Sequence, residues 1–174
     1  RAVFSPDGTW IAFLAASELR KVPLAGGPPT RLGRLPASPT GFEWGADGYI
    51  YWAQRGKLHR IPASGGEPET LNRDGRERLA FPTLLPGGRT LLCSRPLVST
   101  KPVSMVAYDL ASGAVKDLGV AGSNPHYLPS GHVLFALQRK AFVAPFDLET
   151  LAFTGPSVPV LPRLWVDQDE MQLA

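Results

Sequence analysis

Histidine, cysteine and paired carboxylates carry most hydrolytic, redox and metal chemistry, so their spacing is the first thing to read. The chain holds three histidines, His59, His126 and His132, and a single cysteine, Cys93. No second ligand stands at chelate spacing from any of the histidines, and a lone cysteine excludes both an intrachain disulfide and a paired-cysteine metal or redox motif. Asp7 and Asp47 each precede a glycine, the place where an aspartate bonds the N–H groups of its own turn. The sequence contains no Gly-x-Ser-x-Gly elbow, His-Glu-x-x-His helix, Walker loop or kinase signature, so no hydrolase, zincin or phosphoryl-transfer machinery is encoded in it. The expectation is a chain that is not itself an enzyme, with no catalytic residue, metal or cofactor of its own.

The elements that position these residues follow from a repeat. Four glycine turns each precede an apolar run: Pro6-Asp7-Gly8, Ala46-Asp47-Gly48, Pro86-Gly87-Gly88 and Pro129-Ser130-Gly131. Their last glycines are spaced by 40, 40 and 43 residues. Glycine supplies the positive φ that such hairpin turns need. A second turn recurs inside each unit, at Ala25-Gly26-Gly27, Ser64-Gly65-Gly66, Ser112-Gly113 and Leu148-Glu149-Thr150, and a short run ending in leucine closes it.

Each unit thus offers four short strands, here called positions A to D, and no segment has a sustained helical period. A β-sandwich also places strands every 8–12 residues, but it does not require copies of one turn at a constant period. Four-stranded units recurring every ~40–45 residues are the pattern of propeller blades. The expected fold is therefore all-β, a single β-propeller domain over 1–174. Its blades span approximately 1–35, 36–73, 74–119 and 120–162, with 163–174 opening a further blade.

Phe4-Ser5-Pro6-Asp7-Gly8 followed by Trp10-Ile11-Ala12-Phe13 resembles the repeat of TolB-type, WD-repeat-like propellers. Stretches 19–27, 127–135 and 145–161 resemble propeller segments linked to bacterial Ser/Thr protein kinases. The resemblance implies a six- or seven-bladed propeller of which these four blades are part, and an extracytoplasmic or periplasmic location. It also implies a binding or scaffold role in a larger bacterial protein. The alternative it leaves open is an accessory propeller of an enzyme, a Ser/Thr kinase or a prolyl-oligopeptidase-like peptidase, whose catalytic domain lies elsewhere. Unpaired blade edges in such a piece invite self-association.

Up-and-down strands sort the loops onto two ends, and the charges sort with them. The net charge of +3 is mild, yet eleven of the eighteen Lys and Arg residues fall on the B–C and D–A loops. Among them are Arg55, Arg76, Arg78, Lys101, Arg139 and Lys140, against only Glu18, Asp74 and Glu77. The opposite turns carry Asp7, Asp47, Glu67, Asp109, Asp147 and Glu149. A basic loop face steers anionic partners, so these six residues, together with His126 in position A of the fourth unit, form the candidate binding face for a protein or anionic ligand. Nucleic acid is a poor fit, because the aromatic residues fall in strands rather than among the basic loops as stacking platforms. No apolar stretch reaches the ~20 residues of a membrane helix.

Overall fold

Alternating apolar residues closed by a glycine turn fold into antiparallel hairpins, because each strand can then bury one row of side chains on each side. The computed structural model describes residues 2–35, 37–73, 77–96 and 103–161, together with the strand backbone at 166–167 and 170–171. Every regular element among them is a strand.

The first blade has the order β1 (Ala2–Phe4), β2 (Trp10–Ala15), β3 (Glu18–Pro23) and β4 (Thr30–Arg34). The second is β5 (Thr40–Trp44), β6 (Tyr49–Gln54), β7 (Lys57–Pro62) and β8 (Glu69–Thr70). The third is β9 (Ala80–Leu84), β10 (Thr90–Arg95), β11 (Ser104–Asp109) and β12 (Val115–Ala121). In the fourth, β13 (Ser123–Leu128), β14 (His132–Leu137) and β15 (Lys140–Asp147) are followed by an outer strand in two pieces. Of these, β16 (Ala152–Phe153) pairs with the end of β15, and β17 (Val158–Leu161) pairs with its beginning. A short ribbon of β18 (Val166–Asp167) and β19 (Glu170–Met171) follows. The third blade's outer strand runs to Ala121, two residues past the expected boundary at 119, because a register shift opposite Ser104–Val106 accommodates extra residues.

The four glycine turns are built alike. The N–H groups of Gly8, Gly48, Gly88 and Gly131 donate to the carbonyls of Ser5, Gly45, Leu85 and Leu128 at 2.9, 3.2, 3.1 and 3.0 Å, and all four glycines have positive φ. Asp7 Oδ1 accepts from the Thr9 N–H at 3.0 Å and Asp47 Oδ1 from the Tyr49 N–H at 3.2 Å. Both aspartates are thus turn caps.

Interlocking bonds gather the loops onto two ends. The N–H groups of Leu24, Ala63, Leu110 and Phe146, at the C–D turns, donate to Thr9, Gly48, Arg89 and Gly131 of the A–B turns. At the other end, Leu35 N–H donates to Ser17 O at 2.8 Å and Leu79 N–H to Gly56 O at 2.9 Å, tying D–A loops to B–C turns.

The core lies between blades, in layers. Ala12, Leu19 and Leu32 of the first blade pack with Ile50, Trp52 and Ile61 of the second. Tyr51, Ala53 and Leu58 turn the other way, onto Leu91, Cys93 and Val106 of the third. Leu92, Met105 and Ala107 then meet Val133, Phe135 and Ala144 of the fourth. The B strands of the two inner blades, β6 and β10, therefore divide their alternate residues between two neighbouring blades. Trp52, Cys93 and Phe135 hold the same place, facing the preceding blade, and are 2%, 0% and 0% exposed.

Candidate functional site

Of the seven residues expected on the binding face, Arg76 and Lys101 lie outside the described residues. The structure places Arg55 and Arg78 side by side. Arg55-Gly56 forms the two-residue turn between β6 and β7, with φ of 54° and 82°. The side chain of Arg78 lies against Gly56, so that a Cβ there would sit 3.1 Å from its Cβ, Cγ and Nε. Arg139 occupies the equivalent turn between β14 and β15, with φ of 62°, and Lys140 follows it. All four are exposed.

The two described acids of this end are already engaged, and Asp74 lies outside the described residues. Glu18 pairs with Arg20 at 2.6 Å and Arg31 at 3.2 Å, and Glu77 pairs with Arg95 at 2.8 Å. The bond to Arg20, first, and the charge of Arg31 hold Glu18 below the usual carboxylate range. Arg95 also contacts Asp117 at 2.6 Å, so it is not a free cation. What remains is a rim on which Arg55, Arg78, Arg139 and Lys140 have no carboxylate partner among the described residues.

His126 is separated from these loops. Its cross-strand partner is Leu134, which puts it in the row facing away from the third blade, on the fourth blade's outer flank. Burial lowers its pKa, so it adds no charge to the rim at neutral pH. His59 stacks on Trp52 at a centroid distance of 5.4 Å, and its Nδ1 meets Thr70 Oγ1 at 3.1 Å. Cys93 is fully buried and burial raises its thiol pKa well above normal, which removes the thiolate needed for reactivity. Among the described residues no group of three or more His, Cys, Asp or Glu side chains could hold a metal ion.

A second site was not legible as such in the sequence. The A-strand ends of all four blades converge beside the A–B turns around a cavity of about 500 Å³. Phe4, Trp44, Leu84 and Tyr127, one from each blade and each the residue just before the one whose carbonyl closes its turn, are among its lining residues. Glu43 is the one carboxylate among its described lining residues. This side chain is partly buried and accepts the backbone N–H of Leu84 from the next blade; desolvation outweighs that bond and pushes its pKa up to about 7. The residues before Glu43 explain the convergence: Gly41 has φ of 79°, and a Cβ on it would lie 2.7 Å from Phe81 Cα. Phe81 and Asn124 take the same left-handed conformation, at φ of 50° and 52°, so the inner strands bulge alike and approach closely.

Antiparallel four-stranded sheets stacked face to face around converging inner strands define a β-propeller. Solved structures agree. The chain is similar to TolB from Acinetobacter baumannii, at 18% identity and a TM-score of 0.65, over 84% of this chain and 40% of that one. It is similar to a putative TolB from Agrobacterium tumefaciens, at 19% identity and a TM-score of 0.67, over 90% of this chain and 62% of that one. The tricorn protease matches at 14% identity and a TM-score of 0.57, over 90% of this chain and 21% of that one. The chain thus spans less than two thirds of each, and the likeness is one of fold: a TolB-type β-propeller, as the Pro-Asp-Gly repeat implied. No protein-family model and no curated protein matches the sequence.

Proposed function

We propose that this chain is a non-catalytic β-propeller module that binds a protein or other ligand bearing anionic groups through its B–C/D–A end. One observation carries the reading: Arg55, Arg78, Arg139 and Lys140 stand exposed while Glu18 and Glu77 on the same end are occupied by other arginines. Exposed cations gathered on one end and acids spent as caps at the other give the molecule a directional field. Such a field speeds encounter with an acidic partner and weakens with salt.

The test uses poly-L-glutamate as the anionic probe. Binding to the intact chain should fall steeply between 50 mM and 500 mM salt. The quadruple variant Arg55→Ala, Arg78→Ala, Arg139→Ala, Lys140→Ala should lose about tenfold or more in affinity and flatten that dependence. An unchanged affinity with an unchanged fold sinks the proposal.

A second reading, an accessory propeller carried by an enzyme such as a kinase or peptidase, is favoured by the fold likeness to the tricorn protease. Sequencing the gene on both sides of this segment decides it. A reading frame without any catalytic domain would reject it.

A further inference from the structure

We propose that the axial cavity at the A–B turn end is a binding site for an organic ammonium group carried on an apolar body. This is a different site, at the opposite end of the molecule from the basic rim, and it stands independently of that reading.

Three features of the cavity specify the ligand. Its wall includes one equivalent residue from each blade, and three of these four, Phe4, Trp44 and Tyr127, are aromatic. Aromatic surface attracts an ammonium through the negative potential of the ring faces and receives an apolar body through area burial. Glu43 contributes a single carboxylate, and no lysine, arginine or histidine is among the described lining residues. An acid without a cationic partner in an apolar wall is an unmet electrostatic demand, which one monovalent cation satisfies.

A metal ion is a poor alternative. Glu43 offers one carboxylate, whereas calcium takes 6–8 oxygen ligands, and no cluster of carboxylates and histidines stands here among the described residues. The field around the mouth has the matching sign. Asp7 and Asp47 cap the adjoining turns, and hydrogen bonds from Ser5 and Thr9 hold Asp7 below the usual carboxylate range.

Glu43 also has a structural part, since it bonds the Leu84 N–H across the blade boundary. The equivalent residue of the third blade, Thr83, makes a comparable link, its hydroxyl donating to Pro125 O at 2.7 Å. The polarity is reversed there, and a neutral side chain bridges the boundary, so bridging the blades does not by itself call for a carboxylate at position 43. The charge is the surplus feature, and the ammonium is what uses it.

Two sources present this chemistry: a free arylalkyl amine and a lysine side chain within an apolar segment of a partner. The probes are 2-phenylethylamine with 2-phenylethanol as its neutral counterpart, and acetyl-Leu-Lys-Leu-amide with acetyl-Leu-Gln-Leu-amide. Each is titrated into the isotopically labelled chain and followed by NMR. The expected result is that at least one cationic probe binds about tenfold or more tightly than its neutral counterpart, with shifts centred on Glu43, Trp44, Leu84 and Tyr127. Whichever cation binds identifies the source.

Binding should strengthen from pH 6 to pH 8 as Glu43 ionises. The other ionisable groups near Glu43 are Tyr51 across the strand, whose hydroxyl donates to Asp47, and Tyr127 in the cavity wall. Burial and the bond to Asp47 push the Tyr51 pKa well above its ordinary value, so Tyr51 keeps its proton in that range. Glu43→Gln should abolish both the preference for the cation and its pH dependence while keeping the apolar contacts. Equal affinity of charged and neutral probes for the unaltered chain overturns the proposal, whatever the variant does. So does a cation preference that survives Glu43→Gln, or shifts that map away from the cavity.

Discussion

Glu43 and Cys93 show how far burial alone decides what a side chain can do. The same desolvation that leaves Cys93 an inert thiol keeps Glu43 close to half-protonated at neutral pH. For Glu43 the sign has a consequence for stability. An acid whose folded pKa stands above its unfolded value stabilises the fold fully below the unfolded value, near 4.5, and loses that contribution as pH rises through about 7. The chain should therefore lose stability between pH 5 and pH 8, by up to about 3 kcal/mol from this group. Glu43→Gln should flatten the profile. Urea denaturation at pH 5, 6.5 and 8 checks it, and an identical slope in the variant counts against a buried, unpaired carboxyl.

Turn glycines and turn strain belong to the element scale. Gly48 has φ of 82° and no atom within 4 Å of where a Cβ would stand. The whole cost of Gly48→Ala is thus conformational, and it should destabilise the chain by about 1–2 kcal/mol. The B–C turns behave in the opposite sense. Of the six residues in the turns Ala16-Ser17, Arg55-Gly56 and Gln138-Arg139, all at positive φ, only Gly56 is glycine. Gln138 is exposed at φ of 50°. Gln138→Gly removes a left-handed penalty of about 1 kcal/mol, offset in part by the greater freedom of glycine in the unfolded chain. A net gain of ~0.5 kcal/mol is expected in thermal or denaturant unfolding, and a loss would show that the Gln138 side chain makes a stabilising contact.

At the scale of the whole molecule, the repeat leaves its two end faces unlike its inner ones. Phe13 holds the place of Trp52, Cys93 and Phe135, yet those three are enclosed while Phe13 is only partly buried. Phe4 on the first blade is 62% exposed, and Val158, Val160 and Leu161 on the last blade's outer strand are 54%, 47% and 43% exposed. Apolar flanks and an open strand edge are the ingredients of association. We propose that the isolated chain self-associates through them. Sedimentation velocity over a hundredfold concentration range should show a mass that rises with concentration, and Phe4→Glu combined with Val160→Glu should lower it. A concentration-independent monomer would count against this.

Much of this was legible in the sequence because it rests on local chemistry. The glycines of the Pro-Asp-Gly turns need positive φ wherever they occur, and a period of 40 residues repeats one hairpin unit whatever surrounds it. Those facts determined strands, blades and the sorting of loops to two ends. Only the tertiary structure decided which cations are claimed, because Arg95 is paired by Glu77 and Asp117 from distant strands while Arg55 has no carboxylate partner among the described residues. It alone turned His126 to the flank, through its pairing with Leu134, and brought Phe4, Trp44, Leu84 and Tyr127 around Glu43. Those four lie 40–43 residues apart. Their meeting depends on how closely the inner strands approach, and Gly41, Phe81 and Asn124 set that approach by a backbone bulge for which only glycine leaves a trace in the sequence.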